Sequence, residues 1–341
     1  MAPTPTPTPT KKSGSPLPPG AIVRLGKFAW TTMWRLMMSK LAPRNSSGEY
    51  IRPESQFRHN VGTAAYPPEA GRYQLIVGWG CPWAHRTLVV RALKGLSSAI
   101  SINIVSPSPD SGMWVFDQPE VEFNTLPQFY HNAKPGYQGR ATVPLLWDTQ
   151  QKAIVNNESA EIIVMLNSEF QQFAKYPDLD LYPPALKEAI DSWNEQIYHH
   201  VNNGVYRCGF AATQTAYETA CNQLFDTLDL IDQTLANSRY LCGDRITLAD
   251  VRLFTTLVRF DTVYYSLFKC QRRRLVDYPN LSPYLRDIYQ LPGVAETCNL
   301  EVIKRDYYGN LFPLNPGGII PLGPDLDLDQ PHYRDRLTQT N

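Results

Sequence analysis

The segment Gly80-Cys81-Pro82-Trp83-Ala84-His85-Arg86 holds the residue best placed to act as a nucleophile. It follows an apolar run at 73–77 that reads as a strand, and it leads into a helical periodicity over 84–94. Pro82 suits a first helical turn, so the Cys81 sulfur falls at the helix N-terminus. Unpaired backbone N–H groups and the positive end of the helix dipole stabilise an anion there, which draws a thiol pKa from ~8.5 toward neutrality. Arg86 adds positive charge on the same helix. The expected group is a thiolate at cellular pH. Position 84 is Ala, not a second Cys, so an internal dithiol cycle is unavailable at this motif and an external thiol must resolve any mixed disulfide.

Glutathione is the expected thiol, and two further segments are placed to hold it. Val143-Pro144 precedes a strand. A cis peptide there would turn the Val143 N–H and C=O outward to pair with an extended peptide, whereas a trans bond would make an ordinary turn. Asn157-Glu158-Ser159 opens a helix, with Asn157 as the expected N-cap. Its backbone N–H groups and the Ser159 hydroxyl suit the glutamyl carboxylate of glutathione, and Glu158 suits the ammonium; a plain helix cap is the alternative.

The elements that position these residues follow from periodicity. Strands are expected at 73–77 and 100–105, a β-hairpin at 143–147 and 153–155, and a helix from Asn157 through Leu166. This β-α-β unit followed by β-β-α is a thioredoxin-like layout. From about Pro184 strand signals vanish, and helices are expected at 186–200, 215–235, 247–265 and 281–291. Thr247-Leu248-Ala249-Asp250 has the form of a capping box. The fold class is therefore α/β plus all-α, a thioredoxin-like domain at 47–178 followed by an all-helical domain at 179–324, with a C-terminal tail at 325–341. Residues 1–46 comprise a flexible Pro/Thr tail and one amphipathic helix over 21–42. Its basic residues, Arg24, Lys27 and Arg35, rule out a transmembrane span. They suit peripheral contact with an anionic membrane through 21–42; the alternative is packing of the apolar side on the body of the fold or on a second subunit.

The composition excludes several classes. Lys+Arg 32 balances Asp+Glu 32, so the chain of 341 residues carries no global charge that would draw nucleic acid. Six cysteines at least thirteen positions apart, with no Cys-x-x-Cys pair, disfavour a disulfide scaffold or zinc ribbon. His199-His200 point about 100° apart on a helix and do not converge on a metal, so no metal is expected. No secretory signal pattern opens the chain, and a reducing cytoplasmic setting is expected.

Longer strings narrow the reading. Cys81-Pro82-Trp83-Ala84-His85-Arg86, Asn157-Glu158-Ser159-Ala160-Glu161-Ile162-Ile163, Tyr206-Arg207-Cys208-Gly209-Phe210, Tyr240-Leu241-Cys242-Gly243-Asp244-Arg245, the run from Arg252 to Asp261, Asp277-Tyr278-Pro279-Asn280-Leu281 and Asn315-Pro316 together resemble the xi class of glutathione transferases, the glutathionyl-hydroquinone reductases. The resemblance covers roughly 47–324. It implies reduction of a hydroquinone that carries glutathione as a thioether, through a Cys81–glutathione mixed disulfide, with release of oxidised glutathione. It also implies catalytic roles for Cys81, Tyr206 and Tyr307, with glutathione held by Trp114, Val143, Glu158 and Ser159. The family usually has His before its tyrosine pair, whereas this chain reads Asp306-Tyr307-Tyr308, which leaves either tyrosine to line the pocket. The expected partners are glutathione, as co-substrate, and glutathionylated hydroquinones, in a homodimer. Two other functions compete: a conjugating transferase, against which Cys81 argues, and a non-catalytic glutathione- or quinone-binding protein at a membrane surface.

Overall fold

The computed structural model describes residues 19–41, 55–118 and 123–338; the Pro-Thr stretch read as a flexible tail lies outside them. The central strand β1 (Tyr73–Val77) is apolar and buried almost throughout, as expected of a strand covered on both faces. It pairs in parallel with β2 (Ile100–Pro107) and antiparallel with β4 (Leu145–Asp148). A short β3 (Trp114–Phe116) runs antiparallel to β2, and β5 (Ala153–Asn156) antiparallel to β4, so the five-stranded order is β3-β2-β1-β4-β5. The expected layout omitted β3, which at three residues is too short to show a period.

Helix α2 (Pro82–Leu93) buries Pro82 through Val90 on every side, because it lies between α4 (Ser159–Ser168) and the helical half of the chain. A third helix, α3 (Leu126–Ala133), packs near β3 and β5 and starts with a complete capping box between Thr125 and Gln128. At the start of α4 the N-cap is Glu158, whose side chain accepts from the Ala160 N–H at 3.0 Å. This corrects the expected Asn157: its amide is taken up elsewhere, accepting from the Phe57 N–H and donating to the Tyr130 hydroxyl, both at 3.2 Å.

The second half comprises α5 (Lys187–Gln196), α6 (Gly204–Gly209), α7 (Gln214–Leu235), α8 (Leu248–Leu257), α9 (Tyr265–Leu267), α10 (Leu281–Tyr289) and α11 (Leu300–Asn310). Two of the long helices expected from periodicity widen into π-helical turns, at Ile197–Asn202 and Phe260–Tyr264. Each extra residue in a turn rotates the following side chains off the stripe a 3.6-residue period would give them. The capping box at Thr247–Asp250 forms, and the buried Asp250 carboxylate also accepts from the Leu241 N–H at 2.9 Å and the Tyr284 hydroxyl at 2.8 Å. Most of the segment expected as a C-terminal tail is exposed, but it is anchored at Leu328 and Arg334, which are buried. Arg334 is buried and donates to the carbonyls of Leu235, Ser238 and Arg239.

Candidate active site

Sheet topology brings the candidate residues to one edge. Strands β1, β2 and β5 point their carboxyl ends the same way, and β3 and β4 begin at that end, since Trp114 pairs with Pro107 and Leu145 with Ile76. Cys81 follows β1, Trp114 opens β3, Val143 precedes β4, and Glu158 and Ser159 follow β5. Ligands of open α/β sheets bind beyond the carboxyl ends of parallel strands for this reason.

Cys81 is the N-cap of α2 and half-buried, with Pro82 in the first turn. Its thiol lies 3.5 Å from the Val143 carbonyl oxygen, and the Val143–Pro144 peptide is cis. Trp114 stands against Gly78; a Cβ at Gly78 would lie 2.5 Å from the indole, so only glycine allows that approach. Beyond the Ala160 bond, the Glu158 carboxylate accepts from the Ser55 hydroxyl at 2.9 Å, and Ser159 accepts from Arg86 at 3.4 Å. Arg86 is buried, stacks its guanidinium 4.4 Å from the Trp83 ring centre and donates to Asn202. The structure thus brings all four expected glutathione contacts to the edge that carries Cys81.

The helical half contributes hydroxyls. Tyr206, on α6, is hydrogen-bonded to Tyr307, on α11, at 2.6 Å, and Tyr307 in turn to Tyr264 at 3.0 Å. Burial pushes all three phenols up, most strongly at Tyr206 and Tyr307, and the charge of Cys81 acts in the same direction on Tyr206 and Tyr264. They remain phenols, able to donate a proton or a hydrogen bond, next to a cysteine whose field reaches them. Of the two adjacent tyrosines, Tyr307 belongs to this cluster, whereas Tyr308 donates to the Thr262 carbonyl at 3.3 Å.

Three groups at this site have no role assigned from the sequence, although Arg259 lies in the run from Arg252 to Asp261 and Asp306 precedes the tyrosine pair. Tyr264 ends a π-helical turn and so lies off any predicted stripe. Arg259 is fully buried and donates to the carbonyls of Trp79, Gly80 and Thr255 at 2.9, 3.2 and 2.8 Å, and to His85 Nδ1 at 2.8 Å. Because a guanidinium only donates, His85 must carry its proton on Nε2, which faces the Thr297 hydroxyl at 2.8 Å. Burial and the Arg259 charge hold the imidazole pKa well below its ordinary value, so it is neutral. Asp306 accepts from the Gly80 N–H at 3.2 Å, and a Cβ on Gly80 would sit 2.8 Å from the Asp306 Cβ. The Trp79–Gly80 peptide is therefore held at its N–H by Asp306 and at its C=O by Arg259, which also bonds the Gly80 carbonyl.

The histidine pair lies elsewhere, whereas the Cys298 sulfur sits 3.7 Å from His85 Nε2. His199 faces Glu195 at 3.1 Å and His200 faces Thr227 at 3.2 Å, and the described residues include no group of three or more ligands able to hold a metal.

Comparison with known proteins gives the family. Residues 80–169 match the glutathione S-transferase N-terminal domain, and residues 214–287 the glutathione S-transferase C-terminal domain. A glutathionyl-hydroquinone reductase of Escherichia coli is 46% identical over 309 residues, covering 86% of this chain and 94% of that protein. One from Sphingobium chlorophenolicum is 46% identical over 288 residues, covering 82% and 91%. The solved glutathione-bound structure of the E. coli protein superposes with a TM-score of 0.79 at 47% identity, covering 82% of this chain and 96% of that one. The xi glutathione transferase of Phanerochaete chrysosporium gives 0.79 at 43% identity, covering 82% and 94%. The chain is a xi-class glutathione transferase.

Two predictions arise from the clamp on Gly80 in this transferase. Arg259→Ala leaves three buried carbonyls and an imidazole without their donor, at roughly 1–3 kcal/mol for each unsatisfied group before relaxation. We expect a loss of about 3–5 kcal/mol in urea unfolding, beyond what a surface Arg→Ala change gives. Asp306→Asn is expected to act in the opposite direction. Burial raises the Asp306 carboxyl from 3.8 to about 6, against the pull of Arg305 and the Gly80 N–H. The unfolded chain releases this proton near 3.8 and the folded chain near 6, so the group's contribution to stability is lost as pH rises between those values. Asparagine keeps an acceptor for Gly80 and cannot ionise. At pH 7.5 the variant should gain roughly 2–3 kcal/mol in urea unfolding, and the gain should vanish at pH 3.5. A gain independent of pH would assign the effect to packing.

Proposed function

We propose that this protein reduces glutathionyl-hydroquinones to hydroquinones at the expense of glutathione. The observation that carries the reading is a helix-capping cysteine at the sheet edge that gathers Trp114, Val143, Glu158 and Ser159, in a chain whose Tyr206, Tyr307 and Tyr264 hydroxyls are hydrogen-bonded to one another. The names of the relatives at 46% identity point the same way.

The Cys81 thiolate attacks the glutathionyl sulfur of the thioether, forming an S–S bond as the ring carbon–sulfur bond breaks. The ring carbon takes the electron pair and a proton, and the hydroquinone leaves. A second glutathione thiolate attacks the mixed disulfide, releasing oxidised glutathione and regenerating Cys81. Over the cycle the thioether sulfur and one glutathione thiol become the disulfide of oxidised glutathione, and the carbon–sulfur bond is reduced to carbon–hydrogen. Tyr206 and Tyr307 supply or relay the proton. The helix N-terminus at Ser159 receives the glutamyl carboxylate, Glu158 the ammonium, and Trp114 walls the tripeptide. In this reading residues 47–178 bind glutathione and 179–324 form the hydroquinone pocket. A homodimer and a reducing, cytoplasmic setting belong to it, because glutathione can regenerate Cys81 only where it is kept reduced.

The test is anaerobic incubation of the purified protein with glutathionyl-menadiol and excess glutathione. Menadiol and oxidised glutathione should appear in equal amounts. Glutathione binding without turnover would favour the binding-protein reading; transfer of glutathione onto an electrophile without disulfide formation would favour a conjugating transferase. Light scattering measures the dimer.

A further inference from the structure

Helix α1 (Pro19–Leu41) keeps most of its apolar face in solvent. Contact with the body of the protein is concentrated at its C-terminal part, where Met38 is buried and Trp34 packs on the core. Leu25, Phe28 and Leu36 remain 62%, 71% and 66% exposed. The sequence of this helix contains Arg24, Lys27, Arg35 and Lys40 and no acidic residue, within a chain whose total charge is zero. A second exposed apolar segment adjoins it. The Trp30 and Phe312 rings meet at 6.1 Å, and the chain after Phe312 carries Ile319 and Leu322 at 77% and 95% exposure. Phe312 lies two residues beyond the end of α11, the helix that holds Tyr307.

We propose that α1 and the loop 312–322 together form a docking surface for an anionic phospholipid bilayer, set beside the hydroquinone pocket. Large contiguous apolar surface on a soluble chain marks an interaction site, and aromatic and aliphatic side chains flanked by cations are the composition that lies in a headgroup layer. The charge decides between occupants. A second copy of this chain offers an equally cationic helix to a symmetric contact, which repels, whereas an anionic leaflet gains about 1 kcal/mol for each cation near its surface. Among the described residues no helix is long and apolar enough to cross a membrane, so the helix lies on the surface. The inference rests on the reductase reading for its consequence: a hydroquinone is apolar enough to partition into lipid, and docking would bring the pocket to the phase that contains it.

The experiment is co-sedimentation of the full chain with vesicles of phosphatidylcholine alone or with 30% phosphatidylserine, together with turnover of soluble glutathionyl-menadiol. The wild type should sediment with the anionic vesicles and not with the neutral ones. Arg24→Gln/Lys27→Gln/Arg35→Gln should weaken that binding roughly 100-fold, at about fivefold for each cation removed. Leu25→Ser/Leu36→Ser should weaken it as well. Both variants should turn over the soluble substrate like the wild type. Absence of sedimentation with either vesicle, equal binding to both, or light scattering in which the Leu25/Leu36 variant dissociates a wild-type dimer would each overturn the proposal. Failure of the reductase reading would show separately, as no turnover by the wild type whatever the vesicles do.

Discussion

Cys81→Ser is expected to abolish glutathionyl-menadiol reduction, by at least about 10³-fold in kcat/KM, while leaving glutathione binding within a few-fold of the wild type. The serine hydroxyl has nearly the shape of the thiol and keeps the cap position of α2, so the residues that would hold the tripeptide are undisturbed. What it lacks is an accessible anion. A helix N-terminus contributes on the order of 1 kcal/mol to an anion, enough to bias a thiol near pH 8.5 but far from enough for an alcohol. Serine also cannot form the sulfur–sulfur bond on which the cycle turns. Mass spectrometry of the wild type, quenched after glutathionyl-menadiol is added without free glutathione, should show one added glutathione on Cys81 and an equivalent of menadiol. Turnover above background in Cys81→Ser would remove covalent catalysis from the mechanism.

Tyr307→Phe should have the next largest effect. Its hydroxyl is bonded to those of both Tyr206 and Tyr264, so one deletion removes two bonds of the cluster. General acid contributions are typically 10²–10⁴-fold, and a loss of about 10² or more in kcat is expected on the hydroquinone-releasing step. The second half-reaction needs no proton delivery to carbon. Reduction of a preformed Cys81–glutathione disulfide by glutathione should therefore proceed nearly as in the wild type, a difference that a purely structural defect would not produce. Tyr206→Phe should behave similarly but less severely, since it leaves the bond between Tyr307 and Tyr264 intact. Equal slowing of both half-reactions would assign the tyrosines to packing.

The parts of this site that were legible in the sequence are those set by local chemistry. A buried strand, a Gly-Cys-Pro turn and a helix lie within twenty residues of one another, and their burial pattern is continuous enough to read. The start of α4 was legible for the same reason, although its cap moved by one residue because Asn157 bonds to Phe57 and Tyr130. Arg259 and Asp306 were not legible. Each reaches Gly80 across 179 and 226 positions, and a buried Arg or Asp in a helix has no pattern that names its partner. Tyr264 was hidden by the π-helical turn that carries it, which no 3.6-residue count anticipates. The tyrosine pair itself was visible, but which hydroxyl joins Tyr206 and Tyr264 is decided by where α11 rests, a property of the packed chain.

The hold on the Gly80 peptide also bears on how such a protein can change over generations. The nucleophile belongs to the first half of the chain, but the groups that fix the backbone beside it, Arg259 and Asp306, belong to the second. A chimera that joined this N-terminal half to the helical half of a distant relative would inherit Cys81 without its supports, and would need both side chains restored to recover it. The two halves are therefore coupled at Gly80, and a substitution at position 80, 259 or 306 acts on a contact made from the other half of the chain.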